Sequence, residues 1–247
     1  MNLIKTKSFE LALYTKGDPT SSQIAIVIPG RLDTKDYIHN TSLVDSLAEL
    51  GYFALSFDPP GTWESSGNID LYTTTSYLEA INELIEYFGN KPTLLLGHSR
   101  GGTVATLAAA SNPLVNGVVT IMASIGAPTA PTEEAIKLGF QVSHRDLPPG
   151  TIESKEQKTF SLPIAYFTDG EKYNPIEALK KITAPKLLIY SPQDEFTDPE
   201  AVKEIFKSLS EPKKLHAINY EHDYRLFPDA ISEVNQIVSE FAKKGLY

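Results

Sequence analysis

The sequence contains no cysteine, and tryptophan and methionine are scarce, with one and two copies among 247 residues. A chain without cysteine forms no disulfide, no thiolate metal site and no cysteine nucleophile, and this composition is typical of a reducing compartment. Positive charge is in the minority, because 22 basic residues stand against 31 acidic ones and leave a net charge of −9. Since nucleic acids and anionic lipids repel such a protein, we expect neither as a partner.

Long hydrophobic runs are absent as well. Apolar stretches such as residues 24–28 fall far short of the ~20 residues that a membrane-spanning helix needs. Residues 1–7 lack the apolar centre of a signal peptide. Apolar residues nevertheless make up 41% of the chain, which is enough for a packed core. We therefore expect a cytoplasmic globular protein of one large or two small domains.

Short apolar runs alternate with longer amphipathic segments along most of the chain. Buried strands are predicted for six of these runs, at residues 24–28, 52–57, 93–96, 117–122, 186–190 and 214–218. Helices are predicted between them, with ends marked by Gly51, Gly89, Asp198 with Pro199, Pro228 and Gly245. Such crossovers predict an α/β fold with a mostly parallel central sheet and helices on both faces. The first twenty residues predict an antiparallel edge strand or hairpin beside that sheet.

Residues 125–183 do not follow this alternation of strand and helix patterns, because they combine six prolines with mixed charges and only short apolar stretches. We interpret them as a small cap or lid inserted into a core made of residues 1–124 and 184–247. The alternative is a long disordered loop. The apolar stretch at 164–167 favours the cap, because it is able to pack.

Gly97, Ser99 and Gly101 form a G-x-S-x-G pattern between a predicted strand and a predicted helix. This context is typical of a nucleophile elbow, where the serine backbone is strained and bulky neighbours would collide. The glycines relieve that collision, and the helix N-terminus favours negative charge that develops beside the serine. Ser99 is therefore predicted to be a nucleophile at the carboxyl edge of the sheet. The alternative is a glycine-rich connector with a helix cap.

A serine nucleophile needs a base within hydrogen-bond reach and a group that orients the base. His222 follows the last predicted strand, so its loop reaches the same sheet edge as Ser99. We select His222 as the base, and a surface histidine is the alternative. His98 adjoins the serine, but its side chain is expected to point away at the elbow. His216 is expected to pack within the last strand.

The orienting acid is expected on the loop after the preceding strand, where Asp194, Glu195 and Asp198 offer carboxylates. Asp198 is better placed to cap the helix that Pro199 begins. Asp194 lies nearest the strand end and is selected, with Glu195 and Asp198 as alternatives. Because no second group of ligands occurs at suitable spacing, no metal site is predicted.

The attacked carbonyl oxygen needs hydrogen-bond donors. The backbone N–H of Arg100 is one predicted donor, because it directly follows the nucleophile. The loop after the first predicted parallel strand supplies the second donor from Gly30 or Arg31, and we select Arg31. Gly30 and Trp63 are also candidate substrate-binding residues, with packing as the alternative role of Trp63.

These residues resemble the α/β-hydrolase family. The likeness covers the strand, turn and helix around Ser99, and the chain order of Ser99, Asp194 and His222. It extends to the glycine loop at Gly30 and to residues 57–65, which resemble the family's aspartate-and-glycine turn. The resemblance implies the α/β-hydrolase fold and a serine hydrolase, and it disfavours the dehalogenase branch, which uses aspartate at the elbow.

The likeness spans nearly the whole chain apart from residues 125–183, which resemble the family's variable cap. Two positions differ from the common pattern. Pro29 stands where the family often has histidine, and Arg100 stands where it often has methionine or glutamine.

The function predicted from these features is cofactor-independent hydrolysis of a carboxylic ester of a small or medium acyl compound. A thioester, amide or lactone would use the same residues. The expected partner is a small-molecule acyl substrate, and the protein is expected to be a monomer or homodimer. The alternative is a non-catalytic small-molecule-binding protein on the same fold. A nucleotide-binding domain is excluded, because the sequence has neither G-x-G-x-x-G nor G-x-x-x-x-G-K-[ST].

Overall fold

A computed structural model describes residues 2–126, 129–152 and 156–244 of the chain. The strands in these ranges are β1 (Asn2–Lys5), β2 (Glu10–Lys16), β3 (Ile24–Ile28), β4 (Phe53–Phe57), β5 (Thr93–His98), β6 (Val115–Ile121), β7 (Phe140–Asp146), β8 (Gln157–Pro163), β9 (Lys186–Tyr190) and β10 (Lys213–Ala217). The helices are α1 (Ile38–Glu49), α2 (Thr74–Tyr87), α3 (Arg100–Ala109), α4 (Glu133–Leu138), α5 (Ile164–Gly170), α6 (Pro175–Lys181), α7 (Pro199–Ser208) and α8 (Pro228–Lys244). Within the described ranges, none of these helices combines the length and the apolar character that crossing a membrane requires.

Eight of the described strands form one sheet in the order β1-β2-β4-β3-β5-β6-β9-β10. The six strands from β4 onward in this order run parallel to their neighbours. β1 and β2 form an antiparallel hairpin, and β2 also pairs antiparallel with β4. These pairings confirm the predicted parallel sheet and N-terminal hairpin, and each predicted strand matches an observed one to within two residues.

The parallel strands other than β10 are buried, because helices cover both faces of the sheet. All five residues of β3 are buried. Ile24, Ile26 and Ile28 join a core cluster with side chains of α2 and α3. Ala25 and Val27 point the other way and join a second cluster with side chains of α1 and α8. A strand buried on both faces has to be apolar throughout, as this run is.

The predicted helix ends are confirmed where the structure describes them. Gly51 and Gly89 follow α1 and α2 with φ values of +91° and +93°, which suit glycine. Asp198 caps α7, because its carboxylate accepts the N–H of the second helical residue at 3.0 Å. Helix α8 begins at Pro228. The predicted stop at Gly245 lies outside the described residues.

The prediction that His216 packs within the last strand is wrong. β10 lies at the edge of the sheet, where β9 is its neighbour among the described strands, and His216 is exposed. Lys213 and Lys214 at the start of this strand are typical of an edge strand, where charged side chains discourage further pairing.

The segment between β6 and β9 contains α4, the β7–β8 hairpin, α5 and α6. Tyr166 and Phe167 of α5 pack into the core cluster that includes α2 and α3. Asp169 fixes α5 to the start of α2, because its carboxylate accepts the N–H and the hydroxyl of Thr75 at 2.8 and 2.7 Å. The described parts of the segment thus carry their own secondary structure and pack on the sheet's helices. The division into a cap at 125–183 and a surrounding core stays a prediction.

The turn from β5 into α3 brings backbone atoms of strand and helix into contact. A Cβ atom at Gly101 would lie 2.0 Å from the carbonyl oxygen of Ile28, and one at Gly97 would lie 2.5 Å from the carbonyl carbon of Gly101. Only glycine fits at such distances. Ser99, between the two glycines, has φ +51° and ψ −124°, a strained conformation for a residue with a side chain.

Gly101→Ala is expected to lower the free energy of unfolding by about 3 kcal/mol, because backbone atoms must shift to admit one methyl group. Gly126→Ala is the control. Gly126 is exposed, and no atom of the described residues lies within 4 Å of an added Cβ. The control is expected to change stability by less than about 0.5 kcal/mol. Urea unfolding followed by circular dichroism measures both, and equal stabilities would contradict the close contact.

Candidate active site

The side chains of Ser99, His222 and Asp194 form a continuous chain of hydrogen bonds. Ser99 Oγ lies 2.9 Å from His222 Nε2, and His222 Nδ1 lies 2.9 Å from Asp194 Oδ1. The three residues are far apart in sequence, but each follows a parallel strand, so their loops meet at the carboxyl edge of the sheet. A hydroxyl, an imidazole and a carboxylate in this order allow the imidazole to remove the hydroxyl proton.

Asp194 lies on the loop between β9 and α7, and 9% of the residue is exposed. Burial by itself raises the pKa of its carboxyl group. Hydrogen bonds from His222 and from the backbone N–H of Phe196, at 2.9 Å, outweigh burial and hold the pKa below the usual 3.8. The carboxylate is therefore ionised at neutral pH and stabilises positive charge on the imidazole.

The two alternative acids have other partners. Glu195 Oε2 accepts the backbone N–H of His222 at 3.3 Å, and Asp198 caps α7. Ser191 links the two loops directly, because its hydroxyl donates to the carbonyl oxygen of Tyr220 at 2.5 Å. The carboxylate and the imidazole are thus positioned by contacts between their loops as well as by their own hydrogen bond.

Ser99 lines a cavity of about 720 Å³, a volume that includes the open solvent at its mouth. Tyr166 and Phe167 of α5 also line this cavity. Arg31 and Arg100 also line the cavity. The sequence pattern indicates only the backbone N–H groups of these arginines and not their side chains.

Trp63 and Gly30 are not among the described residues that line this cavity. The Trp63 indole N–H donates to the carbonyl oxygen of Leu32 at 2.8 Å, and its ring packs edge-on against Phe160 with 5.6 Å between centroids. Trp63 thus packs within the fold in this structure, and its contact with substrate stays a prediction. A Cβ atom at Gly30 would lie 2.5 Å from an oxygen of Asp33, so a larger residue at this position would crowd Asp33.

The backbone N–H groups of Arg31 and Arg100 donate no hydrogen bond to another described residue. Arg100 is the first residue of α3, where no preceding turn supplies an acceptor. Arg31 lies on the loop after β3, and β3 pairs with β5, the strand that leads into Ser99. Both N–H groups are thus at the carboxyl ends of neighbouring strands and are free to bind an oxygen of a ligand.

Asp33, His39 and His98 form a second buried group, with ligand atoms within 4.8 Å of one another. Within the described ranges this is the one cluster of side chains able to hold a metal ion. Arg145 Nε lies 3.6 Å from Asp33 Oδ1, so the carboxylate already has a cationic partner, and we assign no metal to it. The His98 ring packs against the His222 ring, with 4.7 Å between centroids.

An exposed aromatic side chain covers another side of the imidazole. The Phe196 ring lies 4.8 Å from the His222 ring, although 73% of Phe196 is exposed to solvent. The sequence pattern does not indicate this contact. The only sign of it in the sequence is that an apolar residue, Phe196, stands two positions after the selected acid, Asp194.

Residues 26–161, more than half of the chain, match the family described as alpha/beta hydrolase fold. Residues 162–245 match a family described as PhoPQ-activated pathogenicity-related protein. The mitochondrial palmitoyl-protein thioesterase ABHD10 of Mus musculus is 22% identical over 214 residues, which cover 81% of this chain and 68% of that protein.

Solved structures share the fold over nearly the full length. Est1E from Butyrivibrio proteoclasticus, with ferulic acid bound, has a TM-score of 0.75 and 20% identity over 99% of both chains. GrgF from Penicillium sp. sh18 has a TM-score of 0.78 and 18% identity over 99% of this chain and 98% of that one. The chain belongs to the α/β-hydrolase family, which confirms the fold class and the resemblance found in the sequence.

The pH dependence of stability tests the buried histidines. Burial lowers the pKa of His39 to about 3, so between pH 6.5 and 3 the unfolded chain binds a proton that the folded protein excludes. Folding stability must therefore fall as the pH falls through this window, by about 1.4 kcal/mol per pH unit for one group. Between pH 6 and pH 4, His39→Phe is expected to lose about 2 kcal/mol less than the wild type in urea unfolding. The exposed His216→Phe is the control, and identical pH dependence in both variants would contradict the burial of a neutral His39.

Proposed function

We propose that this protein is a cofactor-independent serine hydrolase that cleaves the carboxylic ester of a small or medium acyl compound through an acyl-enzyme on Ser99. The observation that carries the proposal is the pair of 2.9 Å hydrogen bonds that joins Ser99, His222 and Asp194. Membership of a hydrolase family supports it. The cavity beside Ser99 gives a small substrate a place to bind next to the proposed nucleophile.

Acylation begins when Ser99 Oγ forms a bond to the carbonyl carbon of the ester and its proton moves to His222 Nε2. The ionised Asp194 stabilises the imidazolium that results. The tetrahedral adduct collapses when the bond between the carbonyl carbon and the leaving oxygen breaks. His222 gives its proton to that oxygen, the alcohol departs, and the acyl group remains on Ser99.

Deacylation repeats these steps with water in place of the serine. His222 takes a proton from the water as the water oxygen bonds to the acyl carbon. The bond to Ser99 Oγ then breaks, and His222 returns the proton to the serine. One water is consumed for each ester, the carboxylic acid is released, and the three side chains regain their starting protonation.

The negative oxygen of each tetrahedral adduct is stabilised by the backbone N–H groups of Arg31 and Arg100. Support comes from their position at the ends of neighbouring strands and from the lack of other acceptors among the described residues. Preorganised donors of this kind are typically worth several kcal/mol of transition-state stabilisation. The N-terminal end of α3 adds a favourable dipole at the same place.

A thioester is the second substrate class, favoured by the name of the mouse relative, a palmitoyl-protein thioesterase. The same steps apply, with a thiol as the leaving group. An oxyester is favoured by the solved structure of Est1E, in which a carboxylic acid, ferulic acid, is bound. Comparing kcat/KM for an oxyester and a thioester with the same acyl group separates the two classes.

Removal of the serine or the imidazole is expected to abolish catalysis. A fluorophosphonate probe should label the wild type and leave Ser99→Ala unlabelled. Turnover of p-nitrophenyl acetate should fall by at least about 10³-fold in Ser99→Ala and in His222→Ala. His216→Ala, which alters an exposed histidine on β10, is the control that keeps activity. Turnover that survives in Ser99→Ala contradicts the proposal, and an unlabelled, inactive wild type favours the non-catalytic binding protein.

Asp194→Asn is expected to lower kcat by about 10⁴-fold, because the amide no longer stabilises the imidazolium or holds the required tautomer. Glu195→Gln is the matched control one position along the chain. Its side chain contacts the backbone of His222 rather than the ring, so we expect a loss of less than about tenfold. Steady-state kinetics measures both variants. A larger loss of kcat in Glu195→Gln than in Asp194→Asn would mean that Glu195, and not Asp194, orients the imidazole.

A further inference from the structure

We propose that the ester cleaved at Ser99 carries a carboxylate, and that the guanidinium groups of Arg31 and Arg100 bind this carboxylate in the cavity. The proposal rests on the proposed function, because it names the substrate class of the same site. It concerns the side chains of these two residues, whereas the oxyanion is assigned to their backbone N–H groups.

The chain has four arginines, and the inference rests on which of them have a carboxylate partner. Arg145 lies 3.6 Å from one aspartate, and Arg225 lies 2.7 Å from another. Within the described residues, neither Arg31 nor Arg100 forms an ion pair with a carboxylate. The two arginines that have no acidic partner in this described part of the chain are the two that line the cavity beside the proposed nucleophile.

Only neutral groups contact these two guanidinium groups in the described part of the chain. Arg100 donates to the hydroxyl of Thr74 at 3.1 Å, and Arg31 donates to the hydroxyl of Ser143 at 3.4 Å. Both guanidinium groups also lie over the ring of Tyr166, at 4.5 Å for Arg100 and 5.7 Å for Arg31.

The Nε atoms of Arg31 and Arg100 are buried and have no acceptor among the described residues. A buried donor without an acceptor is costly. Two like charges over one aromatic ring also repel each other. A bound anion offsets the repulsion, because it accepts hydrogen bonds from the guanidinium groups and neutralises their charge. A carboxylate suits this role, because its two oxygens match the planar fork of a guanidinium group.

The charge of the cavity contrasts with that of the whole protein. The chain has 31 acidic residues and a net charge of −9, yet no aspartate or glutamate is among the described residues that line the cavity. Hydroxyl groups complete its polar surface, from Thr74, Thr103, Ser124 and Thr129. A positive cavity in an acidic protein attracts an anionic small molecule and disfavours a neutral one.

The aromatic wall indicates what connects the two ends of such a substrate. Tyr166 and Phe167 line the cavity together with Val104 and Leu107 of α3. These side chains provide apolar contacts for a short carbon chain between the ester and the carboxylate. The substrate class that fits is therefore a monoester of a dicarboxylic acid, cleaved by the steps given above with the free carboxylate unchanged.

Two esters that differ only in charge provide the test. Monoethyl adipate and ethyl hexanoate share the acyl length and the leaving alcohol, and ethanol release reports on both. The ratio of kcat/KM for the charged ester to that for the neutral ester is expected to be at least tenfold in the wild type. This ratio should fall by about ten- to a hundredfold in Arg31→Met and in Arg100→Met, the loss expected for a charge-assisted hydrogen bond.

Lys180→Met is the matched control. It removes the same charge from an exposed side chain of α6, which is paired with Glu177 and does not line the cavity, so the ratio should stay at its wild-type value. A wild-type ratio of one or less overturns the carboxylate site. An equal ratio in the arginine variants and in Lys180→Met overturns it as well.

Binding to Ser99→Ala separates failure of this site from failure of the proposed hydrolysis. Calorimetry should show that monoethyl adipate binds Ser99→Ala at least tenfold more tightly than ethyl hexanoate. The added change Arg100→Met should remove this preference. If monoethyl adipate binds in this way while no ester is turned over by the wild type, the anion site stands and only the proposed hydrolysis fails. If esters are turned over while monoethyl adipate binds no better than ethyl hexanoate, the anion site fails and the hydrolase stands.

Discussion

The backbone contact between α3 and the end of β3 is the constraint on which the site depends. Gly101 lies so close to the carbonyl oxygen of Ile28 that no side chain fits between helix and strand. This approach draws α3 tightly against the sheet and leaves Ser99 in its strained conformation at φ +51°. The buried strands on either side resist relaxation of the turn, so the strain is retained rather than relieved. The serine hydroxyl thereby stays at the sheet edge, within hydrogen-bond distance of His222.

The parallel sheet does the rest of the positioning. Each crossover returns the chain so that the next parallel strand ends at the same edge, where the loops that bear Asp194 and His222 meet. Contacts such as that between Ser191 and Tyr220 then fix the loops relative to each other. The walls of the cavity have a different origin, because Tyr166 is supplied by the segment between β6 and β9. The hydrogen-bonded residues therefore belong to the sheet, whereas much of the surface that a ligand would touch belongs to that segment.

The sequence predicts the sheet and the hydrogen-bonded trio because both depend on local signals. Continuous apolar runs identify buried strands, and Gly97 with Gly101 identify the elbow. Asp194 and His222 follow strands whose order along the chain decides where they meet. The surroundings of a side chain are not predicted by such local signals, because they depend on packing between segments that are distant in sequence. The exposure of His216 depends on β10 being the last described strand of the sheet, and the lack of acidic partners for Arg31 among the described residues depends on where their carboxylates lie. Neither is visible in a local pattern.

The contact between Asp169 and Thr75 links the two sides of the cavity mechanically. Thr75 follows Thr74, which holds the Arg100 side chain, while Asp169 belongs to the same helix as Tyr166. One turn of α2 thus anchors both the cationic side and the aromatic side of the cavity. Lifting α5 would break two short hydrogen bonds and disturb the arginine at the same time. The position of the Arg100 guanidinium over the Tyr166 ring is consequently set by the fold, so a ligand meets the charge and the aromatic surface in an arrangement that exists before it binds.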